Sequence, residues 1–266
     1  MSLLLHCGGI PASIPELGLV PMPEKTDTYT PVPFDGLANL VLDALADSNV
    51  EIASQSWGLN HNGAQMFGLI QAKALDGQDT RLTYGVRSSH DSSMAVGLCG
   101  GASVLVCDNL CFSGSDFTQH RRHTGDALNE IKGLVLETVK NTVQGQARLR
   151  ARFAAMKALP VDTDRGYELL GLALGGRLLT SKQATRAFGD WRKPEHPEFA
   201  GRNLWSLYNS GTSAMKLGPV RGTITRHTAW DGFIRRGGVA DKADGENALG
   251  RELTALETFY VEEGSG

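Results

Sequence analysis

The sequence predicts an α+β protein in which an antiparallel β-meander packs on one long helix and a mainly helical part follows. Three observations predict this class. Apolar segments between Val50 and Cys107 are separated by turn residues, and such short turns join antiparallel strands. Residues 124–159 repeat apolar side chains near a 3.6-residue period, which is typical of an amphipathic helix. From residue 161 onward, several shorter helical patterns follow one another.

Residues 1–33 are predicted to form an extended arm, because six of the ten prolines fall there and proline disfavours helix. The arm either lies over the domain or stays available to a partner. A helix over Gly36–Asp47 follows it, with Asp35 as the capping residue.

The meander is predicted to contain five strands. Asn60–Gly63, Asp76–Asp79 and the pair Gly100-Gly101 are its turn signals. Ser103–Cys107 is mostly apolar and is expected at the centre of the sheet. The strands are Val50–Leu59, Ala64–Ala74, Arg81–Ser88, Met94–Cys99 and Ala102–Cys107.

The long helix covers 124–159, and Gly145 inside it leaves open a break at that point. Further helices are expected over Asp164–Leu174, Ser181–Trp191, Asn203–Met215 and Ala248–Tyr260. The chain therefore divides into the arm (1–33), a core of sheet and long helix (34–160), and a helical part of the same domain (161–266).

Composition bounds the function classes. Of the 266 residues, 41% are hydrophobic and 21% charged, as in ordinary globular proteins. The sequence contains no apolar run of the length that spans a bilayer, and its start lacks the pattern of a signal peptide. We therefore expect a cytoplasmic protein with reduced cysteines. The net charge of −3 is low for a nucleic-acid-binding module, although clustering of charge matters more than its sum.

The segment Arg87–Ser93 is the first half of a dense polar region and contains His90 next to Asp91. A histidine beside a carboxylate can perform acid–base chemistry. The same pair can form a tight turn in which Asp91 accepts hydrogen bonds from nearby backbone amides, and we favour this interpretation.

A zinc site is the alternative interpretation of the second half, where Cys107, Cys111, His120 and His123 follow one another. Against it, Cys107 closes a predicted strand, and free cysteine is commonly a small buried residue. No phosphate-binding loop, dinucleotide fingerprint, zinc-protease motif or nucleophile elbow occurs. The sequence thus predicts neither a catalytic residue nor a cofactor, and it gives little reason to expect an enzyme.

Arginines that could meet phosphates occur in several clusters along the chain. Trp230 and Phe233 lie near the last cluster and would suit base stacking, unless they belong to the core. The candidate nucleic-acid-binding residues are Arg87, Arg121, Arg122, Arg148, Arg150, Arg221 and Arg226, and the loop expected beside them carries His90, Asp91, Asn109 and His123.

Two linked motifs carry a resemblance to a known family. They are Tyr84–Ser93, which contains Arg-Ser-Ser-His-Asp, and Val104–Gly114, followed by Arg122-His-Thr124. Both resemble segments of the phage/plasmid-like proteins that contain domain of unknown function 932, the YfjQ/YafZ group. Ser88 departs from that family, which has asparagine there. The resemblance implies a mobile-element setting rich in DNA, and it implies no catalytic residue.

The leading hypothesis is therefore a protein that binds single-stranded nucleic acid in the manner of phage annealing proteins, which also place a curved antiparallel sheet against a long helix. That analogy implies a homo-oligomeric ring. Two alternatives remain open. One is a protein–protein interaction module, such as an inhibitor of host defence. The other is a metal-dependent hydrolase that uses the His/Asp/Cys cluster.

Overall fold

The computed structural model describes residues 9–60, 62–74, 80–104, 110–111, 118–121, 127–218, 223–237 and 248–263. The chain divides into two compact units. The sheet unit comprises Met1–Leu105 and Ser115–Gln144, and the helical unit comprises Val106–Gly114 and Gly145–Gly266. An α+β fold is confirmed. None of the described helices is long and apolar enough to cross a membrane.

The sheet of this unit is antiparallel, and each of its first five strands pairs with the next one along the chain. These strands are β1 (Ile10–Pro11), β2 (Ile52–Leu59), β3 (Gln65–Ala72), β4 (Thr80–Ser89) and β5 (Val96–Val104). On its other edge β5 pairs with β7 (Thr118–Arg121). A two-residue strand, β6 (Leu110–Cys111), falls within the helical unit. The predicted antiparallel pairing of Val50–Leu59 with Ala64–Ala74, and of that strand with Arg81–Ser88, is confirmed by the β2–β3 and β3–β4 pairs. The predicted turn at Asp76–Asp79 lies outside the described residues.

The predicted turn at Gly100-Gly101 is wrong. Both glycines lie inside the single strand β5, where Gly100 pairs with Tyr84 and Gly101 with Thr83. A methyl group at Gly100 would come within less than 3.0 Å of the Thr142 side chain. Glycine stands here because a helix approaches the strand closely, and not because the chain reverses.

The two longer helices described in the sheet unit are α2 (Phe34–Asp47) and α3 (Ala127–Gln144). Helix α3 contacts β5, β7 and α2. The predicted helix over Gly36–Asp47 is confirmed, although the preceding Pro33 occupies its cap and Asp35 lies in the first turn. Apolar side chains from the sheet and both helices form one core, in which Val41, Ile70 and Val139 are fully buried.

The described part of the arm lies over the sheet unit, which was the first of the two arrangements expected from the sequence. The expectation that its prolines exclude helix is wrong, because Ile14–Gly18 forms a short helix, α1. Pro15 lies in its first turn, where a missing N–H leaves no hydrogen bond unmade. Ser13 caps the helix in a capping box with Glu16. Leu17 and Val32 then anchor the segment in the core.

The helical unit contains α4 (Gln146–Ala158), α5 (Thr163–Gly175), α6 (Ser181–Arg192), a 3-10 turn (Pro197–Phe199), α7 (Leu204–Met215), α8 (Thr223–Arg235) and α9 (Ala248–Glu263). Four of these match predicted helices. Nearly every residue of α7 is buried, and this helix contacts α4, α6 and α8. The hydroxyls of Ser210 and Thr212 donate to carbonyls of their own helix, so these polar groups cost little in the core.

The long helix predicted over 124–159 is two helices, α3 and α4, which are interrupted at Gly145. Glycine has a low helix propensity, which favours a break at this position. The Gly145 carbonyl accepts the first hydrogen bond of α4, which the Leu149 N–H donates. The two compact units also divide at this residue. The segment 34–160, which was predicted to form one core, therefore contributes residues to both units. Helix α8 was not predicted.

Three of the four tryptophans pack directly on a glycine. Trp57 lies across the β2–β3 pair on Gly68, Trp191 on Gly166, and Trp230 on Gly211. A methyl group at any of the three glycines would come within less than 3.0 Å of the indole. The glycines thus make room for the largest side chains of the core, which a search for turn residues overlooks.

Candidate nucleic-acid interface

The candidate arginines lie in different units of the chain. Arg87 is half-buried on β4 of the sheet unit, opposite Phe67 and Gly97. Arg121 ends β7, and its side chain lies outside the described residues, as do Arg122 and Arg221. Arg148 and Arg150 belong to α4, and the half-buried Arg226 belongs to α8. The described residues therefore do not place all seven on one surface.

Helix α4 is the most basic described element that carries candidate residues. Its sequence, Gln-Ala-Arg-Leu-Arg-Ala-Arg-Phe-Ala-Ala-Met-Lys-Ala, contains four basic residues and no carboxylate. Arg148 and Lys157 are exposed and Arg150 is partly exposed. Arg150 and Lys157 are seven residues apart, so two helical turns place them on the same face. Lys157 also lies over the Trp205 ring, with its Nζ 5.6 Å from the ring centroid.

Arg152 is the exception on α4, since its side chain is only 5% exposed. Both terminal nitrogens of its guanidinium donate to the carboxylate of Asp231, and the Nη1–Oδ2 distance is 2.9 Å. The hydroxyl of Tyr208 donates to the same carboxylate at 3.4 Å, and Arg235 approaches it at 3.7 Å. The guanidinium is buried and paired inside the helical unit, so it is not available to a phosphate.

The base-stacking role considered for Trp230 and Phe233 is wrong. Trp230 is 0% and Phe233 is 5% exposed. The indole N–H of Trp230 donates to the carbonyl of Tyr208 at 3.1 Å, and its ring stacks on Phe233 at 5.5 Å. Both aromatics belong to the core because α8 turns this side toward α7, where Gly211 receives the indole.

His90 and Asp91 form the predicted tight turn. A carboxylate oxygen of Asp91 accepts from the Ser93 N–H at 3.0 Å, and the other accepts from Gln65 at 3.2 Å. Partial burial acts to raise the pKa of Asp91, but hydrogen bonds from Ser93, Gln65 and Ser89 outweigh it and lower that pKa.

The His90 ring holds the N-terminal segment against the sheet through contacts with two backbone carbonyls. Its Nδ1 lies 3.2 Å from the carbonyl oxygen of Pro21, and its Nε2 lies 3.0 Å from that of Val32. A proton on either nitrogen therefore finds an acceptor. The ring also stacks on Phe34 with centroids 3.8 Å apart. Nearby, the Tyr29 hydroxyl donates to the Ser89 carbonyl at 3.3 Å. These contacts indicate a structural role for the histidine.

We expect His90→Ala to loosen the segment between Pro21 and Val32 by about 2 kcal/mol, from the loss of a hydrogen bond and a ring contact. Trypsin should then cleave after the exposed Lys25 about tenfold faster or more, because cleavage follows the opened population. His196→Ala is the matched control, since this histidine makes an edge contact with Phe199 in the helical unit. Equal cleavage rates in both variants would show that the His90 contacts do not hold this segment.

The zinc interpretation depends on residues that the structure describes only in part. Cys107 and His123 lie outside the described residues, as does Asn109 of the candidate loop, and only the backbones of Cys111 and His120 are described. Within the described ranges, no group of three metal-ligating side chains comes together. The described thiol is Cys99, a free cysteine on β5, where burial raises its pKa to about 12.

A polar network on β2–β5, buried except at Ser54, was not predicted from the sequence. The Ser54 hydroxyl donates to Gln71 at 2.8 Å, Gln71 donates to Ser103 at 3.3 Å, and the Thr83 hydroxyl donates to Ser103 at 2.8 Å. Alternation along β5 puts Ser103 on the sheet face opposite Gly100, which faces α3. Alternating polar residues on two neighbouring strands were the signal that could have revealed it.

The two units differ in charge. The sheet unit contains 8 Lys and Arg against 14 Asp and Glu, whereas the helical unit contains 18 against 15. A polyanion is attracted to local positive charge rather than to a protein's average. The helical unit is therefore electrostatically the better partner for nucleic acid.

Comparison with known proteins adds no relative: no family model, no curated protein and no solved structure matches this chain.

Proposed function

We propose that the protein binds single-stranded nucleic acid and that α4 of the helical unit supplies the main contacts. The observation that carries the proposal is the accessible basic face of this helix, formed by Arg150 and Lys157 two turns apart, without any carboxylate in α4. Arg148 is also exposed, at the start of the helix, but it lies about 200° around the helix axis from Arg150. Guanidinium groups donate paired hydrogen bonds to phosphate oxygens, and a Lys and Arg face on a helix can follow a phosphate backbone.

The excess of basic residues in the helical unit supports the same assignment, while the acidic sheet unit would repel a polyanion. Arg87 of the sheet unit is therefore a minor contact in this proposal, and the accessible basic residues of α4 are the major ones. Because the binding energy is mostly electrostatic, affinity should fall steeply as salt rises.

The test is fluorescence anisotropy with a labelled oligothymidylate of about 20 nucleotides and with a duplex of equal length, each titrated at several salt concentrations. We expect salt-sensitive binding that favours the single strand. Preference for the duplex, or no binding at low salt, would contradict the proposal.

Charge reversal locates the contacts. We expect Arg150→Glu with Lys157→Glu, which reverses the shared face, to weaken binding at least tenfold and to make the salt dependence shallower by about 1.4 in log–log slope, as two lost phosphate contacts require. The matched control is Lys132→Glu with Lys140→Glu, which changes the net charge equally at exposed positions of α3. Equal losses in both double variants would assign the effect to net charge and would exclude α4 as the contact.

A further inference from the structure

Among the described residues, one edge of the sheet is open over much of its length. The strand β1 covers only the end of β2, where Ile10 pairs with Leu59 and Pro11 with Gly58. One more hydrogen bond follows, from the Ala12 N–H to the Trp57 carbonyl at 3.0 Å, and the chain then turns away into α1. The rest of β2, from Ile52 to Gln55, is exposed and has no second strand partner among the described residues.

The hydrogen-bonding pattern shows which peptide groups face this edge. In an antiparallel pair, successive residues point their N–H and C=O alternately toward the partner and away from it. The Trp57 carbonyl faces away from β3, because it accepts from Ala12. By the same alternation the peptide groups of Gln55 also face outward, whereas those of Ser56 point to β3.

A groove of about 580 Å³ runs beside these outward groups. Its walls are Gln55–Trp57 of β2 and the segment Pro11–Glu16, which includes the start of α1. Its lining is mostly apolar, and Glu16 is the charged residue among those described there. Hydrogen bonds from the Ser13 hydroxyl and N–H lower the pKa of Glu16, so the groove holds a negative charge.

Sheet edges in proteins usually carry a lysine, a proline or a bulge that discourages pairing with another chain. Between Ile52 and Ser56 the strand has a bulge next to Ile52 but no charge and no proline. About five residues of strand contact would bury far less than the roughly 800 Å² per partner that a stable dimer needs. The edge therefore suits a peptide segment better than a second copy of this chain.

We propose that the open edge of β2 binds an extended segment of a partner protein by strand addition. The segment pairs with the Gln55 peptide groups, turns apolar side chains into the groove and carries a lysine or arginine next to Glu16. The negative groove and the acidic sheet unit both select a basic segment over an acidic one. Main-chain hydrogen bonds provide the affinity and the groove provides the specificity. The site is independent of the nucleic-acid contacts proposed on α4.

The probes are two fluorescein-labelled hexapeptides, one alternating valine and lysine and the other alternating valine and glutamate. We expect the lysine peptide to bind the full-length protein at least tenfold more tightly than the glutamate peptide. N-methylation of alternate amides in the lysine peptide should abolish binding, because it removes the donors of the new strand pair.

Gln55→Pro tests the edge itself. It removes an N–H that β3 does not use, so the sheet keeps its own hydrogen bonds while an incoming strand loses a donor. We expect at least a tenfold loss of peptide affinity. Gln55→Ala is the matched control and should retain binding, since it removes only the side chain that accepts from the Trp57 indole. Glu16→Gln, read separately, should remove the preference for lysine over glutamate.

Three results would overturn the proposal. They are equal affinity for the two peptides, unchanged binding by Gln55→Pro with an unaltered melting temperature, and tight binding of the N-methylated peptide. Concentration-dependent dimers that Gln55→Pro dissociates would also overturn it, because the edge would then belong to a second copy. Oligonucleotide binding measured on the same variants should stay unchanged, which separates this site from α4.

Discussion

Replacing Asp231 by alanine is expected to lower the free energy of unfolding of the helical unit by about 3–5 kcal/mol, the cost of leaving a buried charge without its partner. Asp231 is only 4% exposed, and its carboxylate accepts both terminal nitrogens of Arg152. Without it, the buried Arg152 guanidinium loses the carboxylate that accepts both of its terminal nitrogens. The Tyr208 hydroxyl and the Arg235 guanidinium lose the same acceptor.

Urea unfolding followed by tryptophan fluorescence measures this effect, because Trp191, Trp205 and Trp230 all belong to the helical unit. The control is Glu168→Ala, which removes the exposed partner of Arg165 on α5 and should cost about 0.5 kcal/mol or less. If both variants lose stability equally, the buried pair does not support the unit.

Replacing Arg152 together with Asp231 should have a much smaller effect than replacing Asp231 alone. Exchanging both members of a buried pair for apolar residues of similar volume is often neutral or stabilising. Arg152→Met together with Asp231→Leu should therefore recover most of the loss caused by Asp231→Ala. Recovery would mean that the unit needs a matched pair and not the charges themselves.

This ion pair also explains why α8 could not be predicted. The buried side of that helix carries His227, Trp230, Asp231 and Ile234, at the spacing of one helix face. His227 and Asp231 interrupt the apolar residues of this face, so the 3.6-residue period of apolar side chains is not visible in the sequence. The burial of Asp231 makes sense only once Arg152, distant in sequence, is known to face it.

The sheet was predictable for the opposite reason. Its hairpins depend on local turn residues and on alternation within one strand, and both can be read from neighbouring positions. Gly100-Gly101 was misread because two adjacent glycines indicate a turn locally, whereas Thr142 of α3 decides their role. For the candidate interface, residue types were readable, but accessibility was not. Arg148 and Arg152 look alike in sequence, yet the first is exposed and the second is buried.

The close approach at Gly100 gives the second large effect. Gly100→Ala should destabilise the sheet unit by about 3 kcal/mol, the upper part of the range for overpacked cores. The new methyl group would overlap the Thr142 hydroxyl and would lie 2.8 Å from both Cβ and Cγ2 of that residue. Neither side can yield easily, because Gly100 is paired within β5 and the Thr142 hydroxyl donates to the Thr138 carbonyl in α3 at 2.7 Å.

Thermal unfolding of a mutant cycle tests this packing. Thr142→Ala removes the two outer atoms of the overlap, so the double variant should be about 1–2 kcal/mol more stable than the two single losses predict. A glycine-to-alanine change at Gly133, which lies in α3 like Thr142, should act in the opposite direction. No atom of the described neighbouring residues lies within 4 Å of a methyl group there, and alanine favours a helix interior by about 1 kcal/mol. Opposite signs for one substitution at two glycines would show that contact with Thr142, and not glycine's backbone freedom, keeps residue 100 without a side chain.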